Sequence, residues 1–340
     1  MRPPILILAA AVLGLAVHGA LPAGAATLDQ VKARKVLRCG VNTGLAGFAA
    51  PDDRGEWRGI DADFCRAVAA AIFGNAATVK FVPLNAKERF TALQSGEVDL
   101  LSRNTTWTMS RDTSLGLTFT GVMYYDGQGF MVRKALGLTS VAQLAGASIC
   151  VQTGTTNEQN LADYFTTRNL SYRPVVFERL DEARSAYNSG RCDSFTTDTS
   201  QLISERTRLP TPDDSIILPE LISREPLGPA VRQGDDHWAA IVRWTHFAML
   251  NAEADGVTQK NVDEMLSSPN PEIRRLLGLE GGFGAGLGLS NDWAVAVIRA
   301  VGNYGESFER NLGSGSRLGI PRGMNALWKD GGLHYPPPIR

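Results

Sequence analysis

The spacing of apolar residues predicts two successive strand–helix units. In the first, 36–41 reads as a strand and 60–73 (IDADFCRAVAAAIF) as an alanine-rich helix with apolar positions at helical spacing. A short strand at 79–82, an amphipathic helix at 87–95 ended by Gly96, and a strand at 98–102 follow. The pattern restarts beyond the segment YYDGQG at 124–129. It runs strand 148–152, helix 157–169, strand 175–178, helix 180–189 stopped by Gly190, and strand 192–196. Such alternation predicts an α/β fold with mostly parallel sheets flanked by helices. A long apolar helix at 235–256, carrying Trp238, Trp244 and Phe247, is placed to complete the first unit after the chain returns from the second. Residues 293–312 form a further helix candidate. Before it, 278–290 holds six glycines in thirteen residues and reads as a flexible or turn-rich connector. Its GFGAGLG run lacks the GxGxxG spacing and follows a helix, which argues against a dinucleotide fingerprint. The tail HYPPP at 334–338 reads as an extended surface arm.

The N-terminus departs from this pattern. A short positive start, Met1-Arg2, precedes thirteen apolar residues at 5–17, then Pro22 and the small-residue stretch Ala23-Gly24-Ala25-Ala26. This is the layout of a secretory signal peptide over 1–26, cleaved near Ala25 or Ala26. The apolar run falls short of the roughly 20 residues a spanning helix needs, so an uncleaved anchor is the weaker alternative. Export to the periplasm is the expectation. With 34 basic and 35 acidic residues, the chain lacks the basic surplus of a nucleic-acid binder. A 340-residue chain exceeds one comfortable core, so two domains are expected. Four cysteines in an exported chain argue for disulfides, with three possible pairings. Cys39–Cys65 and Cys150–Cys192 are favoured because each pair then lies within one predicted unit. No CxxC pair or nearby histidine suggests a metal, and no cofactor is expected.

In sheets of this kind ligands sit beyond the carboxyl ends of the strands. The residues found there are Asn42-Thr43-Gly44-Leu45, then Arg103-Asn104-Thr105-Thr106-Trp107-Thr108 with Arg111, then Gln152-Thr153-Gly154-Thr155-Thr156, then Thr197-Asp198. Arg111 suits a carboxylate, which a guanidinium holds with two parallel hydrogen bonds. The helix start at Thr155-Thr156 offers backbone N–H groups to an anion. Asp198 suits an ammonium. One cation and one anion on a polar cleft describe a receptor for a zwitterion, most simply a free α-amino acid. Taken singly, each has a plainer reading: Arg111 as a surface ion pair with Asp112, Asp198 as a helix N-cap, the threonines as turns and caps.

Four stretches together resemble a known family: 47–74 (GFAAPDDRGEWRGIDADFCRAVAAAIFG), 86–112 (AKERFTALQSGEVDLLSRNTTWTMSRD), 124–134 (YYDGQGFMVRK) and 189–198 (SGRCDSFTTD). The chain resembles the polar amino-acid binding proteins of bacterial ABC importers, with a type II periplasmic binding fold, and within them the general L-amino-acid-binding branch. The resemblance implies that Arg111, ending a T-x-T-x-x-R stretch, binds the α-carboxylate. It implies that Asn104 and Thr106 meet the ligand, that Asp198 binds the α-ammonium, and that Thr153-Gly154-Thr155 matches the helix start of the second lobe. Single-substrate relatives often carry an aromatic ring near Leu45 and a basic residue near Gln152. Here both are lacking, which implies broad specificity.

The resulting expectation is a monomeric two-lobed α/β binding protein that passes free L-amino acids to an inner-membrane ABC permease. Lobe one is 27–124 plus 226–340, lobe two is 125–225, and the crossovers near 124–125 and 226–228 form a hinge. Arg111, Asp198, Thr106, Asn104, Thr155, Thr156, Gln152 and Asn42 are the expected ligand-binding residues. The rivals are an enzyme on the same fold, such as a small-acid dehydratase, and a ligand sensor. For the enzyme, Glu158 is the only nearby acid beyond Asp198, and no GxSxG, HExxH or P-loop pattern is present.

Overall fold

Two five-stranded sheets, each flanked by helices, organise the computed structural model, which describes residues 26–340. The leader read at 1–26 lies outside the described residues, apart from Ala26. Among the described residues no helix is long and apolar enough to cross a membrane.

In the first sheet Val79–Leu84, Leu37–Asn42 and Leu100–Leu101 run parallel. Ala230–Arg232 joins antiparallel to Leu100–Leu101, and Leu117–Phe119 pairs antiparallel with Ala230–Arg232. In the second, Arg173–Phe177, Ser148–Gln152 and Ser194–Asp198 run parallel, and Gln128–Arg133 and Ser215–Ile217 add an antiparallel edge. The strand Ala230–Arg232 belongs to chain that has already passed through the second sheet, so the first is completed only after the second. The chain crosses between the sheets twice, and the crossing segments Tyr124–Asp126 and Glu225–Leu227 pair antiparallel. Gly228 permits their close approach: a Cβ there would lie 2.0 Å from the carbonyl oxygen of Gly121.

The helix Ile60–Phe73 forms as its apolar spacing predicts, and its alanines allow neighbours to pack close. Ala67, Ala69 and Ala70 are fully buried, and the helix Trp293–Val301 runs along it. Burial of Val297 and Ile298 contributes roughly 1.5–3 kcal/mol each. The long helix Asp236–Ala254 packs against both. It is capped by Asp235, which accepts from the Trp238 amide, and the Trp238 indole donates to the Asp99 carbonyl at 2.9 Å. A disulfide ties Cys39 in the first strand to Cys65 in the helix Ile60–Phe73. Another ties Cys150 in Ser148–Gln152 to Cys192, just before Ser194–Asp198.

Three sequence expectations need correction. Residues 293–312 form two helices, Trp293–Val301 and Tyr304–Asn311, because Gly302 takes φ +80° and Asn303 starts the second helix by exchanging hydrogen bonds with Glu306. Of the two readings of the glycine-rich stretch, turn-rich holds and flexible does not: it folds tightly around the short helix Phe283–Gly286. A Cβ at Gly278 would lie 1.8 Å from the Asn291 carbonyl oxygen, and one at Gly284 would lie 2.2 Å from that of Ser290. The tail is not a free arm at its start, since His334 is buried with Nε2 3.0 Å from the Tyr304 hydroxyl.

The C-terminal helices are fastened to lobe one by Asp63. Its Oδ2 accepts from Ser307 Oγ at 2.9 Å, Asn311 Nδ2 at 2.7 Å and Arg310 Nη2 at 2.5 Å. Asp63→Ala leaves the buried Ser307 hydroxyl without this acceptor and breaks an ion pair. The expected loss is about 2–3 kcal/mol, read as a fall of several degrees in the thermal midpoint. An unchanged midpoint would show that the fastening adds nothing to stability.

Candidate functional site

The carboxyl ends of the parallel strands from both sheets converge on one narrow polar cleft beside the crossing strands. Arg89, Arg103, Asn104, Thr106, Gln152, Thr155, Thr156, Asn157, Asp198 and Gln201 line it. On the first side, the loop after Leu100–Leu101 is shaped by Asp61, near the start of Ile60–Phe73. Its carboxylate accepts from Ser102 Oγ and from the Asn104 amide, both at 2.8 Å. Asn104 takes φ +35°, which asparagine tolerates better than most residues. Burial pushes the Asp61 carboxyl up to about 6, against those two hydrogen bonds and the nearby Arg103 charge. The loop is also stitched to the crossing strand, with Trp107 N donating to the Pro226 carbonyl and Gly228 N to that of Thr105.

On the second side, Thr155 caps the helix Thr156–Thr167, accepting from the Glu158 amide and donating to the Gln152 carbonyl at 2.7 Å. The cap reading of this threonine therefore holds. Asp198 occupies the N-cap position of Thr199–Arg206 but makes no side-chain cap bond. Its Oδ1 accepts instead from Asn157 Nδ2 at 2.8 Å, inside the cleft.

Arg111 is no surface group. It is buried, no ion pair with Asp112 forms, and its Nη1 donates to the Thr106 carbonyl at 2.8 Å. Its guanidinium lies against the loop that lines the cleft, within electrostatic reach of Asp198 and Glu225. Asn42 likewise meets this loop, donating from Nδ2 to Asn104 Oδ1 at 2.9 Å. Gln152 turns its amide to the Glu178 carbonyl at 2.9 Å.

Sequence reasoning passed over Arg89, Arg103, Asn157, Gln201 and Glu225. Arg103 and Asn157 stand in or next to inspected loops. Arg89 lies in the first turn of the helix Glu88–Gln94 and so does not stand at a strand end. Glu225 sits on the crossing strand, and its carboxylate is fully occupied. Oε2 accepts from Thr106 Oγ1 at 2.5 Å and Thr156 Oγ1 at 2.8 Å, and Oε1 from Asn160 Nδ2 and Ser223 Oγ, each at 2.7 Å. One carboxylate thus joins threonines from both lobes. With their protons committed to Glu225, the hydroxyls of Thr106 and Thr156, 3.3 Å apart, offer lone pairs to other donors.

The lobes are closed on one another. Lys87 Nζ meets Glu178 Oε1 at 2.7 Å, Arg208 Nη1 donates to the Gly44 carbonyl at 2.9 Å, and Arg89 Nη2 reaches that of Gly154 at 3.5 Å. Burial holds the Asp198 carboxyl well above its usual range. Asp126 and Glu225 add to this, while Asn157 and Arg89 oppose it. Burial likewise pushes Asp126 up to about 6 and lowers Arg111, against the pull of Glu225 and Asp198.

Two α/β lobes joined by two crossing strands, with an ionic cleft between the strand ends, define the class of two-lobed solute-binding proteins. The chain belongs to the bacterial extracellular solute-binding proteins, family 3, whose model matches residues 37–266. It is 63% identical over 337 residues to the general L-amino acid-binding periplasmic protein of Rhizobium johnstonii, covering 98% of this chain and 99% of that one. To the glutamate/glutamine/aspartate/asparagine-binding protein of Rhodobacter capsulatus it is 55% identical over 334 residues, covering 97% and 99%. A solved ABC transporter periplasmic binding protein from Brucella ovis with glutathione bound superposes with a TM-score of 0.91 at 63% identity, covering 93% of this chain and all of that one. The protein is a solute-binding protein of the extracytoplasmic space, not an enzyme.

Because the folded pKa of Asp198 is raised, its ionisation costs the ligand-free fold stability at neutral pH. That cost disappears as pH falls through the raised value toward the ordinary 3.8. Asp198→Asn should therefore unfold at a higher temperature than the parent at neutral pH, with the advantage shrinking on acidification. A difference that grew as pH fell would contradict this sign.

Proposed function

We propose that this protein captures free L-amino acids between its lobes and delivers them, as a monomer freed of its leader, to the membrane permease of an ABC importer. Lobe one is 27–124 plus 226–340, lobe two is 125–225, and the crossing strands are the hinge. Asp198 receives the α-ammonium, with Thr106 and Thr156 as further acceptors. Arg111 receives the α-carboxylate, helped by the backbone N–H groups at the start of Thr156–Thr167. Asn104, Asn42, Gln152 and Thr155 shape the walls.

The observation that carries this reading is Asp198. It stands at a helix N-cap, declines the cap bond, and turns a buried carboxylate into a cleft backed by a buried guanidinium. A zwitterion supplies both missing counter-charges at once, and only the closed state lets both ends be held. The ligands named for the relatives fit the same pair of groups, since glutathione too ends in a free α-amino-acid group. Leu45 is buried in the core and the Gln152 amide is engaged, so recognition rests on the groups shared by all amino acids.

Arg111→Ala is expected to weaken binding of every amino acid at least about 100-fold, the scale of a lost charge-assisted pair of bonds. Calorimetry against a panel of L-amino acids reads the loss, with far-UV circular dichroism confirming the fold. Undiminished binding would refute the assignment.

A further inference from the structure

The C-terminal segment turns two aromatic rings outward beside an unpaired carboxylate. Leu327 and His334 bridge to each other and are buried, at 1% and 3% exposure. The residue following each, Trp328 and Tyr335, stands on the outer side, 42% and 73% exposed. The Trp328 amide donates to the His334 carbonyl at 2.9 Å, which fixes the two in register. Their rings meet at 66° with centroids 5.0 Å apart. Such an edge contact leaves ring faces, where the π-system is negative, open to a third group.

These rings line a groove of about 230 Å³ together with Pro336, Pro338, Asp255 and Glu272. One wall is the C-terminal end of the helix Asp236–Ala254, whose last carbonyls and dipole favour positive charge. Lys329 Nζ already donates to the Ala254 carbonyl there, at 2.7 Å. Asp255 is half-buried, yet among the described residues nothing donates to its carboxylate and no ion pair reaches it. Burial, with the like charge of Glu272, raises its pKa, and Lys329 offsets only part of this. The basic groups on the groove are engaged elsewhere or loosely held. Arg275 spends its Nε on the Ile339 carbonyl at 3.2 Å. Arg340 Nη2 lies 3.5 Å from Glu272 Oε1, with side chains 68% and 55% exposed, so that ion pair is weak and displaceable. A cation in the groove gains from the rings, the carboxylates and the helix end together. A neutral apolar group gains from the rings alone.

We propose that Trp328 and Tyr335, with Asp255 and Glu272, form a second binding site, which takes an alkylammonium group. It shares no residue with the interlobe cleft and goes beyond the capture of amino acids proposed above. The group comes either on a free small molecule or on a basic side chain of a partner chain.

The test is calorimetry on the full mature protein at constant ionic strength, with the interlobe cleft left free or loaded with excess L-alanine. The probes are tetramethylammonium against its neutral isostere tert-butanol, and Nα-acetyl-lysine amide against Nα-acetyl-norleucine amide. At least one cation should bind saturably and at least about tenfold tighter than its neutral partner, with or without alanine. Trp328→Leu and Asp255→Asn should each weaken that cation at least about fivefold while keeping the parent's unfolding midpoint. Tighter binding of tetramethylammonium assigns the groove to a free quaternary cation. Tighter binding of the lysine amide assigns it to a basic side chain on a partner. Absence of saturable cation binding, or equal binding of the neutral partners, would overturn the site. So would undiminished binding in both variants, or displacement by alanine, which would place the cation in the interlobe cleft.

Discussion

Charge held away from water is the constraint on which this structure turns. Asp198, Arg89 and Arg103 line one cleft with Asp126, Glu225 and Arg111 gathered around it, and all but Asp126 are buried to below a tenth exposure. Each would be solvated more cheaply in an open state. Closure is tolerable because part of the cost is offset locally: four donors on Glu225, Asn157 on Asp198, and the Ser200 hydroxyl on Asp126. What remains is an imbalance at Asp198, Arg111 and Arg89 that a small ion of mixed charge can relieve. On the proposed function, binding and closure are one event, since the ligand stabilises the arrangement that excludes water from it.

The scaffold makes that arrangement reproducible. The cleft groups stand on strand ends and helix starts, where backbone position is set by the sheets. The loop from Ser102 to Thr106 is fixed from beneath by Asp61 and from the side by the crossing strand. Glu225 is the point where these supports meet. It belongs to the crossing strand yet bonds Thr106 on one lobe and Thr156 and Asn160 on the other. A rotation that parts Thr106 from Thr156 must surrender bonds at this carboxylate.

Much of this was legible in the sequence, for identifiable reasons. Helical spacing over Ile60–Phe73 and the apolar run of Ser148–Gln152 reflect burial, of most of the helix and of both faces of the strand. Family likeness and the strand-end rule together pointed to Arg111 and Asp198. The rule failed where chemistry comes from elsewhere: Arg89 from a helix turn, Glu225 from a crossing strand. It also gave no hint that Arg111 and Asn42 would brace the loop from Ser102 to Thr106 through the Thr106 carbonyl and the Asn104 side chain. The break at Gly302 was readable after the fact, since Asn303 and Glu306 have capping-box spacing. The tight fold of 278–290 was not, because close backbone approach leaves the same glycines as flexibility does.

The family match ends at residue 266, and the chain beyond it is structurally committed. Asp63 fastens the helix Tyr304–Asn311 to lobe one. Farther on, Asn325 accepts from the Tyr125 amide at 2.7 Å and donates to its carbonyl at 3.1 Å. Tyr125 lies in the middle of the crossing strand, and this side chain satisfies backbone groups that the partner strand leaves free. A two-stranded ribbon alone is marginal in water, and its open edge invites other pairings. The C-terminal segment supplies the missing edge, and the rings of His334 and Tyr125, with centroids 5.4 Å apart, cover it further. The residues outside the shared family core thus brace the crossing strand, the element that the proposed function makes the hinge.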